Sequence, residues 1–136
     1  MRRLTLPAIA LVAASTLSGC AASDEPISIA VACDRFREAS GQYGEASGNI
    51  TGTSASLSQN SEAMTEYGAE LESIGRGLEA TDRLLSDRFS ALGESLERAA
   101  DDMQKVADGD LSAEDAHTPD SDSIASLSET CSDVDS

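Results

Sequence analysis

Period and charge pairing in this chain predict an all-α fold: an elongated antiparallel helical hairpin, or a three-helix bundle with a short C-terminal helix. Three observations lead there. From Met64 to Val106 apolar side chains recur at steps of three and four, through Tyr67, Leu71, Ile74, Leu78, Leu85, Phe89, Leu92 and Leu96. That is the stripe of an amphipathic helix or coiled-coil seam. On its polar side Glu72–Arg76, Glu79–Arg83, Glu94–Arg98 and Asp101–Lys105 all place the acid four residues before the base. This order supports a helix by a few tenths of a kcal/mol per pair. The one alternating stretch, Ile27, Ile29, Val31 and Cys33, has no second strand to pair with, and its pattern turns helical through Phe36, Ser40 and Tyr43.

Each element follows in order. Pro26 suits the first position of a helix, with Asp24 or Glu25 near the cap, so the first helix is expected from about residue 26. In residues 47–61, Gly48 and Gly52 each weaken a helix by about 1 kcal/mol, and the many Ser and Thr side chains compete for backbone hydrogen bonds. The chain should reverse here, although Ile50, Leu57 and Met64 keep seven-residue spacing. A helix over 62–107 would be about 70 Å long, with Gly75 and Gly77 as the points where it kinks or divides, and Asp108-Gly109-Asp110 ends it. In the tail Thr118 is the expected cap, with Pro119 in the first turn and Asp120 and Asp122 favouring the N-terminus. Ile124, Leu127 and Cys131 then share a face that should dock near Cys33 and Phe36. The seam is rich in Ala, Ser and Thr, and the aromatics are only Phe36, Tyr43, Tyr67 and Phe89, so a thin core is expected.

The first twenty residues carry a different signal. Arg2 and Arg3 precede an apolar run from Leu4 to Leu17, too short for the ~20 residues that span a bilayer. Leu17-Ser18-Gly19-Cys20 closes it. These residues resemble the export signal and lipobox of bacterial lipoproteins. The resemblance implies a diacylglyceryl group on the Cys20 sulfur, cleavage between Gly19 and Cys20, and anchoring on the extracytoplasmic side of the cell membrane. Two acyl chains hold where one does not, at ~0.8 kcal/mol per buried CH₂. The domains expected are therefore a signal peptide over 1–19, a lipidated tether over 20–26 and one helical domain over 27–136 with a short disordered C-terminal end. Arg outnumbers Lys, and Ala, Asp, Gly and Ser abound, a composition that points to a GC-rich and, with the lipobox, an actinobacterial source.

Assigning Cys20 to lipid leaves Cys33 and Cys131. Outside the cytoplasm such a pair is expected to oxidise. The bridge would close a loop of roughly 100 residues, for which chain entropy gives about 4–5 kcal/mol. The alternative is two separate buried thiols. The formal charge is −16, and removing Arg2 and Arg3 makes the body more acidic still. That balance excludes the usual Lys- and Arg-based contact with nucleic acid. It also repels anionic headgroups, so the domain should stand off the membrane instead of lying along it. An envelope protein that binds it would offer a basic face.

Groups for chemistry are scarce. His117 is the single histidine, in a polar stretch with Glu114 and Asp115, and a solvated loop is expected there in place of a metal site. Asp108-Gly109-Asp110 with Glu114 lacks the Asp-x-Asp-x-Asp-Gly spacing of a calcium loop. No Gly-x-Ser-x-Gly turn is present, and Asp101-Asp102 reads as solvated helix surface. Met103 to Ser112 resembles the start of a HAMP linker, but those linkers directly follow a membrane-spanning helix, and none precedes this segment. The expectation is a non-catalytic lipoprotein with a structural or protein-binding role, without cofactor, whose oligomeric state the residues leave open. The alternatives are a small carrier of a metal ion or lipid, or a phage-type lipoprotein that excludes superinfection.

Overall fold

The computed structural model describes residues 25–48 and 50–134, and every regular element among them is an α-helix. Helix α1 (Ile29–Ser47) starts later than its sequence suggested. Pro26 lies before it, and Ser28 is the cap, its hydroxyl accepting from the Val31 N–H at 3.2 Å. The delay has a cause across the chain: the Ile27 N–H donates to Gly77 O and the Ile27 carbonyl accepts from Thr81 Oγ1, both at 2.9 Å. Ile27 is thereby held against the next helical pair instead of entering α1.

The reversal falls at Gly48–Thr53, where Gly52 takes φ +74° and the Thr53 hydroxyl caps helix α2 (Ser54–Leu78) by accepting from Ser56 N–H. Ile50 is in this turn and 45 % exposed, so the seven-residue spacing through Leu57 and Met64 does not extend back to it.

The expected helix over 62–107 is two helices. It breaks at Glu79–Asp82, and helix α3 (Arg83–Asp108) folds back antiparallel on α2. The break comes from capping. Asp82 leaves the helix and accepts the Leu85 N–H at 3.0 Å, while the Thr81 and Asp82 N–H groups both return to Leu78 O at 2.8 Å. Gly75 and Gly77 are not the break; both stay helical. Of the four acid–base pairs, Asp101–Lys105 (2.6 Å) and Glu72–Arg76 (3.7 Å) form. Arg98 Nε instead donates to the Glu94 carbonyl, and Glu79 and Arg83 fall at the ends of different helices.

The α2–α3 hairpin is built on a mirror register about the Ala80–Thr81 peptide. Ser61 faces Ala100, Gly68 faces Gly93 and Gly75 faces Ser86, each pair seven residues from the next. The serines donate across the gap: Ser61 Oγ to Ala100 O and Ser86 Oγ to Gly75 O, both at 2.7 Å. A Cβ on Gly93 would lie 2.8 Å from Gly68 O, and one on Gly68 3.0 Å from Gly93 O. Backbones approach this closely only where side chains are absent or minimal.

Helix α1 covers the hairpin with Ala32, Cys33, Phe36 and Ala39, and Phe36 meets Phe89 edge-on at 5.6 Å. Helix α3 ends on Gly109, whose φ of +82° is the left-handed conformation glycine adopts without strain. Helix α4 (Ser121–Val134) is capped by Asp120, not Thr118: Asp120 Oδ1 accepts from the N–H groups of Asp122 and Ser123, and Oδ2 from Ser123 Oγ. Leu127 and Cys131 bury against α1 and α3. The result is a three-helix bundle with a short fourth helix, closed by a Cys33–Cys131 disulfide.

Candidate functional site

Three places in the bundle bear on function, and the first is the end where the chain enters. Ile27 docks between Gly77 and Thr81, so residue 25 leaves the bundle beside the α2–α3 turn. Helix α4 runs toward the same end. Arg88 bonds Ser126 (2.6 Å) and Thr130 (3.3 Å), and Cys131 is bridged to Cys33 in the second turn of α1. Arg37 strengthens this closure, donating to the Cys131 carbonyl at 2.8 Å and to Asp34 Oδ1 at 2.8 Å. The disulfide expected from cysteine counting is thus present, fastening the last helix to the first at the chain-entry end. Cys20 and Gly19, the expected lipidation and cleavage positions, lie outside the described residues.

A second place is a groove of about 370 Å³ between α1 and α2. Ala39, Ala46 and Ala63 leave it shallow. Tyr43 and Tyr67 stack at 5.1 Å along one side, and Tyr67 Oη bonds Ser40 Oγ at 2.8 Å. Burial holds both phenols above their ordinary range, so they are neutral and uncharged at physiological pH. Glu38 and Glu66 stand on the rims, while Arg35 closes one end by bonding Glu70 (2.8 Å) and Ser73 (3.0 Å). Tyr67 is part of the core, as its place on the apolar stripe predicts, and Tyr43 packs against that core from the groove side.

The third is the corner held by His117. It is exposed but not a free loop residue: its N–H donates to Asp102 Oδ2 at 3.1 Å, and Nε2 pairs with Ser95 Oγ at 3.2 Å. That backbone bond, with help from Lys105, holds the Asp102 carboxyl below its ordinary range. No signal in the sequence couples residues 95, 102 and 117. Among the described residues no group of His, Cys, Asp and Glu is arranged to hold a metal ion. Among them, too, no helix is long and apolar enough to cross a membrane.

No protein-family model, curated protein or solved structure matches the chain.

Proposed function

We propose that the protein is a lipid-anchored, non-catalytic lipoprotein of the extracytoplasmic membrane face, whose helical bundle has a structural or protein-binding role in the envelope. The observation that carries this reading is Leu17-Ser18-Gly19-Cys20 at the end of a short apolar leader. The Cys33–Cys131 bridge supports it, because disulfides persist in oxidising compartments and are rare in a reducing cytosol. Support comes also from the surface, which is acidic and carries helix-stabilising i,i+4 pairs at Glu72–Arg76 and Asp101–Lys105. A carrier role, the alternative reading, would use a surface groove such as the one between α1 and α2, since the facing backbones at Gly68 and Gly93 leave no room between the hairpin helices there.

The decisive experiment combines cross-linking in native membranes with mass spectrometry of the protein and its Cys20→Ala variant. The wild type is expected to carry lipid on Cys20 and to yield one dominant protein partner. The variant should accumulate as unprocessed, unlabelled precursor. Normal lipid labelling of Cys20→Ala would refute the anchor assignment.

A further inference from the structure

The bundle is polar along its length, and its two ends differ in both charge and apolar exposure. Four large apolar side chains are markedly exposed among the described residues: Leu84 at 74 %, Val31 and Ile50 at 45 %, and Val134 at 40 %. Three of them gather at the chain-entry end. Val31 is in the first turn of α1 and Leu84 in the first turn of α3, next to the α2–α3 turn. Val134 closes α4, one turn beyond Thr130. Because Arg88 bonds Thr130 and Ser126, Leu84 lies one turn from Arg88 in the direction that Val134 lies from Thr130. The two side chains therefore project at the same level of neighbouring antiparallel helices.

Charge divides the same way. Seven basic side chains fall among the described residues, and Arg35, Arg37, Arg76, Arg83 and Arg88 are in the half that holds the α2–α3 turn. That half is still net acidic, through Asp34, Glu72, Glu79, Asp82, Asp87, Glu129 and Asp133, but less so than the far half. The far half has only Arg98 and Lys105 against acids that include Glu62, Glu66, Glu97, Asp101, Asp102 and Asp108. Arg83 is exposed, makes no ion pair among the described residues and adjoins Leu84. A free guanidinium beside an exposed leucine is the pairing of an interfacial contact, in which the apolar chain enters the headgroup layer and the cation meets phosphate.

We propose that this end is a membrane-contact surface: Leu84 and Val134 rest in the headgroup layer of the bilayer, Arg83 meets a lipid phosphate, and the rod stands end-on with its more acidic half outward. The occupant is lipid, not protein, because of where the remaining chain attaches. Residues 20–25, even fully extended, reach at most about 20 Å, and they join the bundle at this end. With Cys20 in the bilayer, an assignment that rests on the lipoprotein reading, no other part of the bundle is held so close to lipid. Anionic headgroups repel the far half most strongly, which opposes tilting. The Tyr43–Tyr67 groove, on the flank of the bundle and further from the α2–α3 turn than Leu84, is then held clear of the headgroup layer.

The test uses the native lipidated protein in vesicles of phosphatidylcholine and phosphatidylglycerol that contain a headgroup-nitroxide lipid. A fluorophore is placed at Glu79→Cys in the α2–α3 turn or at Ile50→Cys in the opposite turn. Quenching is expected at position 79 and not at position 50, and Arg83→Glu with Leu84→Glu should abolish the difference. Both substituted positions are exposed and in the first turn of α3, where acids suit the helix dipole, so the double variant keeps its fold. Equal quenching at both positions, or a contrast that survives the double variant, overturns the proposal. So does a position-79 label shielded by a second copy, seen as a dimer in sedimentation. Intact mass separates the two levels: a lipidated protein without contrast refutes only the contact, whereas a bare Cys20 refutes the lipoprotein reading and the contact with it.

Discussion

Asn60 is the residue whose environment agrees least with its chemistry. It is 2 % exposed, donates from Nδ2 to Met103 Sδ at 2.9 Å, and leaves Oδ1 buried without a partner. An orphaned buried acceptor costs about 1–3 kcal/mol, whereas removing both partners with an apolar group of similar shape is close to neutral or stabilising. The neighbouring Tyr43 phenol is only partly buried, so water can serve it once the amide is gone. Asn60→Leu is therefore expected to stabilise the bundle by about 1 kcal/mol, read as a higher urea midpoint with an unchanged slope. A lower midpoint would show that Asn60 holds α1, α2 and α3 together through bonds worth more than the stranded carbonyl. Nothing in the sequence marked this position. A polar residue among Ser58, Gln59 and Ser61 reads as surface, and only the approach of Met103 from α3 buries it.

The α2–α3 hairpin rests on bare backbone where most helix pairs rest on side chains. Its glycines thus reverse the usual rule that Ala improves a helix by about 0.5–1 kcal/mol over Gly. A methyl group on Gly93 would meet Gly68 O at 2.8 Å and Glu72 Cγ at 2.7 Å, and the backbone atom cannot move aside cheaply. Gly44, in α1, has nothing within 4 Å of the same position. Gly93→Ala is expected to lose about 1–3 kcal/mol through overpacking, and Gly44→Ala to gain up to about 1 kcal/mol. Matched thermal melts check the pair. Melts in which both gain would mean the helices part without cost and the glycine seam is incidental. This element also shows what could be read from the residues. The stripe and the charge pairs located both helices, yet the turn between them was hidden because Leu78 and Leu85 keep seven-residue spacing across it. Asp82 was one more acid in an acidic chain until its carboxylate was seen accepting the Leu85 N–H. Periodicity reports which face is apolar. It does not report whether the next turn lies ahead or folded back.

For the whole molecule, the covalent closure outweighs any single contact. Cys33 and Cys131 are separated by 98 positions, so cutting the bridge should release about 4–5 kcal/mol of unfolded-chain entropy. Cys33→Ser is expected to lower stability by that order in chemical denaturation and to slow the protein on a non-reducing gel. A wild type with alkylatable thiols before reduction would instead show that the two cysteines stay apart. Fold class, the closing bridge and the docking of the last helix near Phe36 could all be inferred from the residues. The groove, the His117 corner and the charge gradient along the rod could not, since each depends on which helix lies beside which.

The bridge also decides how the protein bears mechanical load. Its sulfurs join the second turn of α1 to the last turn of α4, so both chain ends leave the bundle a few residues from a covalent bond. Tension applied between those ends passes through the S–S link and bypasses the three long helices. Under oxidising conditions the chain can pay out only its short flanks. Once reduced, the 98-residue loop would add on the order of 340 Å of slack, so redox state sets how far the two ends of the domain can be drawn apart.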